Sequence, residues 1–288
     1  MSSKHRVIWS QGMFLQPHHF QQQTRYLEGL VDVRVRGANP HAWGFGELVL
    51  DEGQLATGRV ALLRAAGLLP DGTPFSCPDI DAMPAPLEIP AEMQGELVCL
   101  AAPRERAGAT EVDFGDGQAD PLARFAVQEH ELRDQTHAAD DPEPVQLGAL
   151  RLRLMRGRDA TDAFAVLGVA RVVERRADGQ VVLDRNYIAP QTRIEASGQL
   201  SSLATLLHGL VQQRARKLAA SMGQLGQGVS EVADFLMLQL LNRNEPLLRQ
   251  FSGAPSVHPQ TLHLALAQLA DELATFSRGE RHPPEYPL

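Results

Sequence analysis

The sequence predicts an α+β protein, an N-terminal β-sandwich followed by a C-terminal antiparallel helical bundle, on three observations. Between residues 31 and 190 apolar and polar residues alternate with period two, and turn residues break the runs at short intervals, as antiparallel strands do. Past residue 190 the apolar spacing changes to three and four, the period of a helix. Asp71-Gly72 and Asp178-Gly179 supply the residue pair that tight hairpin turns favour, with no amphipathic helix between the strands to suggest a doubly wound parallel sheet. The expected organisation is a β domain over 1–190 that includes an N-terminal docking segment, a helical domain over 191–282, and a linker over 283–288.

The elements follow in order. VDVRVRG reads as a strand with Val31, Val33 and Val35 on one face, ended by Gly37 and Pro40. GELVLD at 46–51 is a second strand, and the segment around Asp71-Gly72 is a hairpin. GELVCLAAP at 95–103 is apolar enough for an interior strand, and RFAVQEHEL at 124–132 suits a half-exposed one. Leu150, Leu152 and Leu154 alternate with Arg151 and Arg153 as a strand, and a hairpin follows through Asp178-Gly179.

In the helical part, Leu200, Leu203, Leu207, Leu210, Leu218, Met222 and Leu225 predict one apolar stripe, interrupted at Arg214. A second helix starts at Ser230 as N-cap and runs to Pro246, with FLMLQLL apolar nearly all round. Leu262, Leu266, Leu269, Leu273 and Phe276 form a short heptad seam, opened by His258-Pro259 and closed by Gly279. Such apolar surface exceeds what three helices hide among themselves. Leu236, Leu240 and the seam from Leu262 to Phe276 are therefore the candidate oligomerisation residues.

Composition narrows function. Among 288 residues, 27 Lys and Arg against 35 Asp and Glu give a net charge of -8, the wrong sign for a protein that grips phosphate backbones, so no nucleic-acid partner is expected. No apolar stretch is long enough to cross a bilayer and no signal peptide leads the chain, which predicts a soluble cytosolic protein without membrane insertion. Cys77 and Cys99 lack ligand spacing and read as buried thiols.

Chemistry finds little support. His18 and His19 are adjacent and point apart, so they read as polar loop or interface residues rather than metal ligands. Asp113, Asp116 and Asp120 miss the spacing of a calcium loop, and the glycines of GQLGQG at 223–228 follow a helix where a dinucleotide loop follows a strand. Asp140-Asp141 lie in a proline-bearing acidic loop, and no Ser, His and acid set stands out. No catalytic residue, metal or cofactor is assigned, and the chain is not expected to be an enzyme. Arg151, Arg153, Arg156, Arg158, Arg171, Arg175 and Arg176 form either a basic face for an acidic partner or the solvent side of a sheet. A ligand- or carbohydrate-binding β-sandwich with a helical appendage, with or without hydrolytic activity, is the alternative reading, weakened by an aromatic content of 5%.

The first thirty residues are rich in groups that dock: Trp9, Met13, Phe14, Leu15, His19, Phe20 and Tyr26 are the candidate partner-binding residues, and pattern alone leaves open which of them instead cap the β domain's core. VIWSQGMFLQPHHFQQQTRYLE, at 7–28, resembles the N-terminal signature of the type VI secretion baseplate subunit TssK family, through Val7, Trp9, Gly12 to Leu15, Pro17, His19 to Gln22, Arg25 and Tyr26. NYIAP at 186–190 resembles the family's step between domains, with Ala189 departing from it, and HPPEYPL resembles the linker after the helices. The resemblance implies a trimeric structural adaptor with a β-sandwich shoulder, a helical neck and a C-terminal head, the shoulder being like that of phage receptor-binding proteins. It implies that shoulder and neck bind TssF and TssG, that the head, expected to be missing here, reaches TssL and TssM, and that the assembly sits at the cytoplasmic face of the inner membrane.

Overall fold

A computed structural model describes residues 4–106, 108–115, 120–134, 136, 141–222, 229–253 and 256–277. The chain divides into two compact units, Met1–Pro190 and Gln191–Leu288.

The first unit opens with helix α1 (Pro17–Ala38), then strand β1 (Gly44–Leu50), the short helix α2 (Glu52–Ala56), β2 (Arg59–Val60), β3 (Leu62–Leu68), β4 (Pro74–Cys77), β5 (Leu87–Glu88) and β6 (Leu97–Pro103). It continues with β7 (Val112–Asp113), β8 (Phe125–Leu132), β9 (Glu143–Leu150), β10 (Arg153–Arg156), β11 (Phe164–Arg175) and β12 (Val181–Leu183). One sheet has the order β1-β3-β4 and a second the order β10-β6-β11-β12, all antiparallel. Phe45, Leu62, Ala65 and Phe75 of the first share a core with Val98, Leu100, Leu154, Leu167 and Val172 of the second, which makes the pair a sandwich. Strand β6 is buried along nearly its whole length because β10 and β11 flank it, as its unbroken apolar run requires. Both Asp-Gly hairpins form. Gly72 at φ 89° and Gly179 at φ 90° take the left-handed position, while the Asp71 and Asp178 carboxylates accept the backbone N–H groups of Thr73 and Gln180.

Three expectations for this unit are corrected. VDVRVRG is the last third of α1, not a strand. Its alternating valines are exposed, so no buried face existed for the alternation to report, and β-branched residues in a helix cost only tenths of a kcal/mol each. Helix already in progress is extended through it by the Asp32–Arg36 pair one turn apart, and Arg36 donates to the Pro70 carbonyl at 3.2 Å. Second, Leu150, Leu152 and Leu154 do not share a strand. The chain leaves β9 at Leu150 and re-enters another sheet at Arg153, although all three leucines reach the same core. Third, α2 was not foreseen; Asp51 caps it by accepting from the backbone N–H groups of Gly53 and Gln54.

The second unit contains α3 (Gly198–Ser221), α4 (Val229–Gly253) and α5 (Pro259–Ala274). Ser197 caps α3, accepting from Leu200, and His258 caps α5, accepting through Nδ1 from Gln260 with Pro259 at the first position. Ala204, Val211, Ala215 and Leu218 are the buried residues of α3, whereas Leu203 and Leu210 of the predicted stripe are exposed. The stripe is rotated toward small residues, because Ala204 and Ala215 let a neighbouring helix approach closely. Arg214 therefore interrupts nothing. Ser230 lies inside α4 rather than capping it, and α4 runs past Pro246 to Gly253. Pro246 is exposed, so its ring faces solvent and only the Asn242 carbonyl loses a helical donor. Leu225, the 223–228 glycines, Asp116, Asp140, Gly279 and the 283–288 linker lie outside the described residues.

Candidate docking surfaces

The N-terminal segment is tied to α1 by hydrogen bonds. Pro17 starts α1, and the Gln16 backbone N–H donates to His19 Nδ1 at 3.1 Å, which fixes the entry of the chain. Gln22 donates to the His5 carbonyl at 2.7 Å, and the Lys4 stem lies across buried Gly29, where a Cβ would meet it at 2.8 Å. The leading segment is thus folded back along the helix. Arg25 bridges Glu105 and Glu111 at 3.6 and 3.8 Å, tying α1 to the sandwich by charge.

Of the seven predicted partner-binding residues, Trp9, Phe14, Leu15 and Phe20 are exposed, Phe14 to 81%, while Met13, His19 and Tyr26 are half-buried. The Trp9 ring stands 6.2 Å from Phe20 and 6.4 Å from His19, so these three form one cluster. His19 also has a structural task as the cap acceptor, which its neighbours in sequence did not reveal. The apolar surface runs further than predicted. Phe20, Leu27, Val31 and Val35 are all exposed and fall on one side of α1 by the helical period.

The seven predicted oligomerisation residues separate differently. Leu240, Leu262 and Leu269 are buried in the second unit's own core; Leu266, Leu273 and Phe276 pack against it half-buried; Leu236 is exposed. Exposed apolar residues on the same unit that the seam did not mark include Leu203, Leu206 and Leu210 on α3, Val232, Phe235 and Leu247 on α4, and Leu264 on α5.

The other candidates resolve into structure. The arginines are engaged within the chain: Arg151 meets Asp113, Arg156 Asp159, Arg158 Glu96 and Arg176 Glu174, Arg153 and Arg175 donate to the Pro121 and Ile89 carbonyls, and Arg171 lies over the Tyr187 ring. Burial, with Asp81 nearby, pushes the Cys77 thiol up to about 12, and burial raises Cys99, so both stay protonated and inert. Among the described residues no group of three or more His, Cys, Asp or Glu is placed to hold a metal, and no helix is long and apolar enough to cross a membrane. An open hollow beside Leu87, Glu88 and Pro90 presents Arg156 and Asp159, already paired to each other at 2.7 Å. The sequence missed one constellation: His208 Nε2 lies 3.1 Å from Glu245 and its Nδ1 3.1 Å from Ser252 Oγ. Ser252 sits inside α4, where backbone N–H groups point at carbonyls four residues back, so the helix itself offers it no pair of free donors as an oxyanion hole. The three side chains pin α3 to α4.

The family pattern described as bacterial type VI secretion, VC_A0110, EvfL, ImpJ, VasE matches residues 19–288. The chain belongs to this family. It is 44% identical, over its whole length, to the type VI secretion system baseplate component TssK1 of Pseudomonas aeruginosa and spans 65% of that protein. A crystal structure of TssK superposes with a TM-score of 0.92 at 38% identity, covering 99% of this chain and 64% of that one. A cryo-electron-microscopy structure of a TssK-TssF-TssG baseplate subcomplex contains a chain that matches with a TM-score of 0.85 at 27% identity, covering 99% of this chain and 92% of that one. The chain thus spans just under two thirds of the length of the first two relatives, and the α+β reading agrees with the fold of all three.

Proposed function

We propose that this chain is the shoulder and neck of a type VI secretion baseplate adaptor, assembling as a homotrimer and docking TssF and TssG. Residues 1–190 act as the shoulder with its N-terminal docking segment, 191–282 as the neck, and 283–288 as a linker. The single observation that carries the reading is the exposed cluster of Trp9, Phe14, Leu15 and Phe20 on a segment held by polar ties, in a chain of TssK fold. Exposed aromatic side chains at fixed positions are what an interface uses for anchors. Trimer contacts fall to the outward faces of α3 and α4, through Leu206, Leu210, Val232, Phe235 and Leu236, since α5 spends its seam inside its own subunit. Docking to TssL and TssM belongs to the part of the relatives' length that this chain does not span, and the assembly works at the cytoplasmic face of the inner membrane.

Light scattering across a dilution series, followed by co-purification with TssF and TssG, tests this. A stable three-fold multiple of 31.5 kDa that captures both proteins is the expected result. A chain that stays monomeric at all concentrations, or a trimer that captures neither, contradicts it.

A further inference from the structure

Residues 1–27 contain Lys4, Arg6 and Arg25 and no Asp or Glu, in a chain whose net charge is -8. The exposed docking cluster of Trp9, Phe14, Leu15 and Phe20 lies wholly inside that acid-free stretch. Two other exposed apolar groups have carboxylates as sequence neighbours, Val232 and Phe235 beside Glu231 and Asp234, and Leu132 and Val145 near Glu131 and Glu143. The N-terminal cluster has only cations beside it in sequence.

The structure places two of those cations at one end of the cluster. The Lys4 stem crosses α1 at Gly29, the His5 carbonyl accepts from Gln22, and Trp9 reaches Phe20, so the leading segment runs antiparallel to α1 with Arg6 between the last two contacts. Three residues separate Arg6 from Trp9, at most about 11 Å of extended chain. Lys4 and Arg6 are both exposed, and among the described residues neither forms an ion pair, whereas Arg25 is paired to Glu105 and Glu111. An interface of ordinary size takes about 800 Å² from each partner, a patch roughly 30 Å across. Centred on Trp9 and Phe20, such a patch covers Arg6 and extends toward Lys4. Taking a cation out of water without an opposite charge is costly, and this stretch of the chain has no carboxylate to offer one. The opposite charge has to come from the partner.

We propose that the docking cluster fits a protein surface in which an apolar pocket for Trp9 and Phe20 is bordered by carboxylates facing Lys4 and Arg6. The inference rests on the docking role proposed above and adds the chemistry of the receiving surface. An anionic lipid surface offers the same sign of charge, but recognition there takes clusters of about 4–8 Lys or Arg, and two exposed cations fall short. Geometry points the same way. The Trp9 ring is set against His19 and Phe20 and the segment is hydrogen-bonded to α1, which suits a shaped pocket better than a fluid interface.

Capture of co-expressed TssF and TssG by the full chain, titrated against salt, tests this with three variants: Lys4→Glu joined to Arg6→Glu, Arg6→Lys alone, and Trp9→Ala. All three sites are exposed, and a thermal midpoint close to that of the unaltered chain verifies that each variant is folded; Arg6→Glu alone replaces the double change where the midpoint falls. The charge-reversed chain is expected to bind about ten-fold more weakly at about 0.1 M salt, and the gap to narrow at about 1 M, where the Debye length falls from about 10 Å to about 3 Å. Arg6→Lys is expected to bind as the unaltered chain does. Equal capture by the folded charge-reversed chain while Trp9→Ala loses it overturns the acidic border and leaves the docking role standing. No capture by the unaltered chain, or capture that neither change affects, overturns both. Retention on vesicles of phosphatidylglycerol and phosphatidylcholine that charge reversal abolishes, without capture of TssF or TssG, overturns the protein surface in favour of lipid.

Discussion

Helices α1 and α5 carry the same kind of apolar line and use it in opposite ways. Leu262 and Leu269 of α5 are buried in the core of their own unit, with Leu266 and Leu273 packed beside them. Phe20, Leu27, Val31 and Val35 of α1 are exposed, while Arg25 and Arg36 tie the helix to the rest of its unit. Spacing by threes and fours reports that a helix has an apolar face. What covers the face depends on the rest of the fold, which is why α5, the more regular seam, proved to be internal and the irregular α1 proved to be outward.

Substitution should separate the two helices most sharply at Leu262. Leu262→Ala leaves a cavity in a site 2% exposed and is expected to cost about 2–5 kcal/mol, lowering the thermal midpoint by many degrees. Val31→Ala on the outward line should change stability by less than about 0.5 kcal/mol. If denaturant melts instead show equal losses, α1 is a core helix and the comparison fails. Between these extremes, His208→Ala removes both links of α3 to α4 and leaves Glu245 and Ser252 without that partner, for a loss of about 1–3 kcal/mol by urea unfolding. Gly179→Ala meets no atom within 4 Å but forces a Cβ into the left-handed region, so a loss of about 1–2 kcal/mol measures backbone strain alone.

The smallest effect is one of pH. Burial alone would raise the Glu272 carboxyl, but hydrogen bonds from Arg243, Asn244 and Gln268, with the Arg243 charge, outweigh it and hold the carboxyl below its ordinary value. A depressed folded-state pKa contributes stability that is present above the unfolded value and lost as pH falls through the folded one. Glu272→Gln should flatten that part of the acid limb of stability against pH. An unchanged limb would show that the pairing between α4 and α5 has no net effect.

Much of the fold was legible because hairpins and interior strands are decided locally. Asp71-Gly72 and Asp178-Gly179 require their turns, and the LVCLAAP run fits only a strand covered on both faces. VDVRVRG was misread because seven alternating residues weigh little against an established helix with an Asp32–Arg36 pair. The α3 stripe was misplaced because leucine counting favours large residues, while close helix packing selected Ala204 and Ala215. The exposed N-terminal surface was legible as a cluster of aromatic and apolar residues, but the extension to Val31 and Val35 depended on the helix they belong to. The trio of His208, Glu245 and Ser252 joins two helices across 44 positions, a distance no local pattern spans.

The central claim is that the outward N-terminal surface is an interface rather than part of the core. Co-purification of TssF and TssG by a Trp9→Ala, Phe14→Ala, Phe20→Ala chain, beside its thermal midpoint, tests it most directly. The account predicts that capture is lost while the midpoint stays close to that of the unaltered chain. Capture at the unaltered level by a folded triple variant would contradict it.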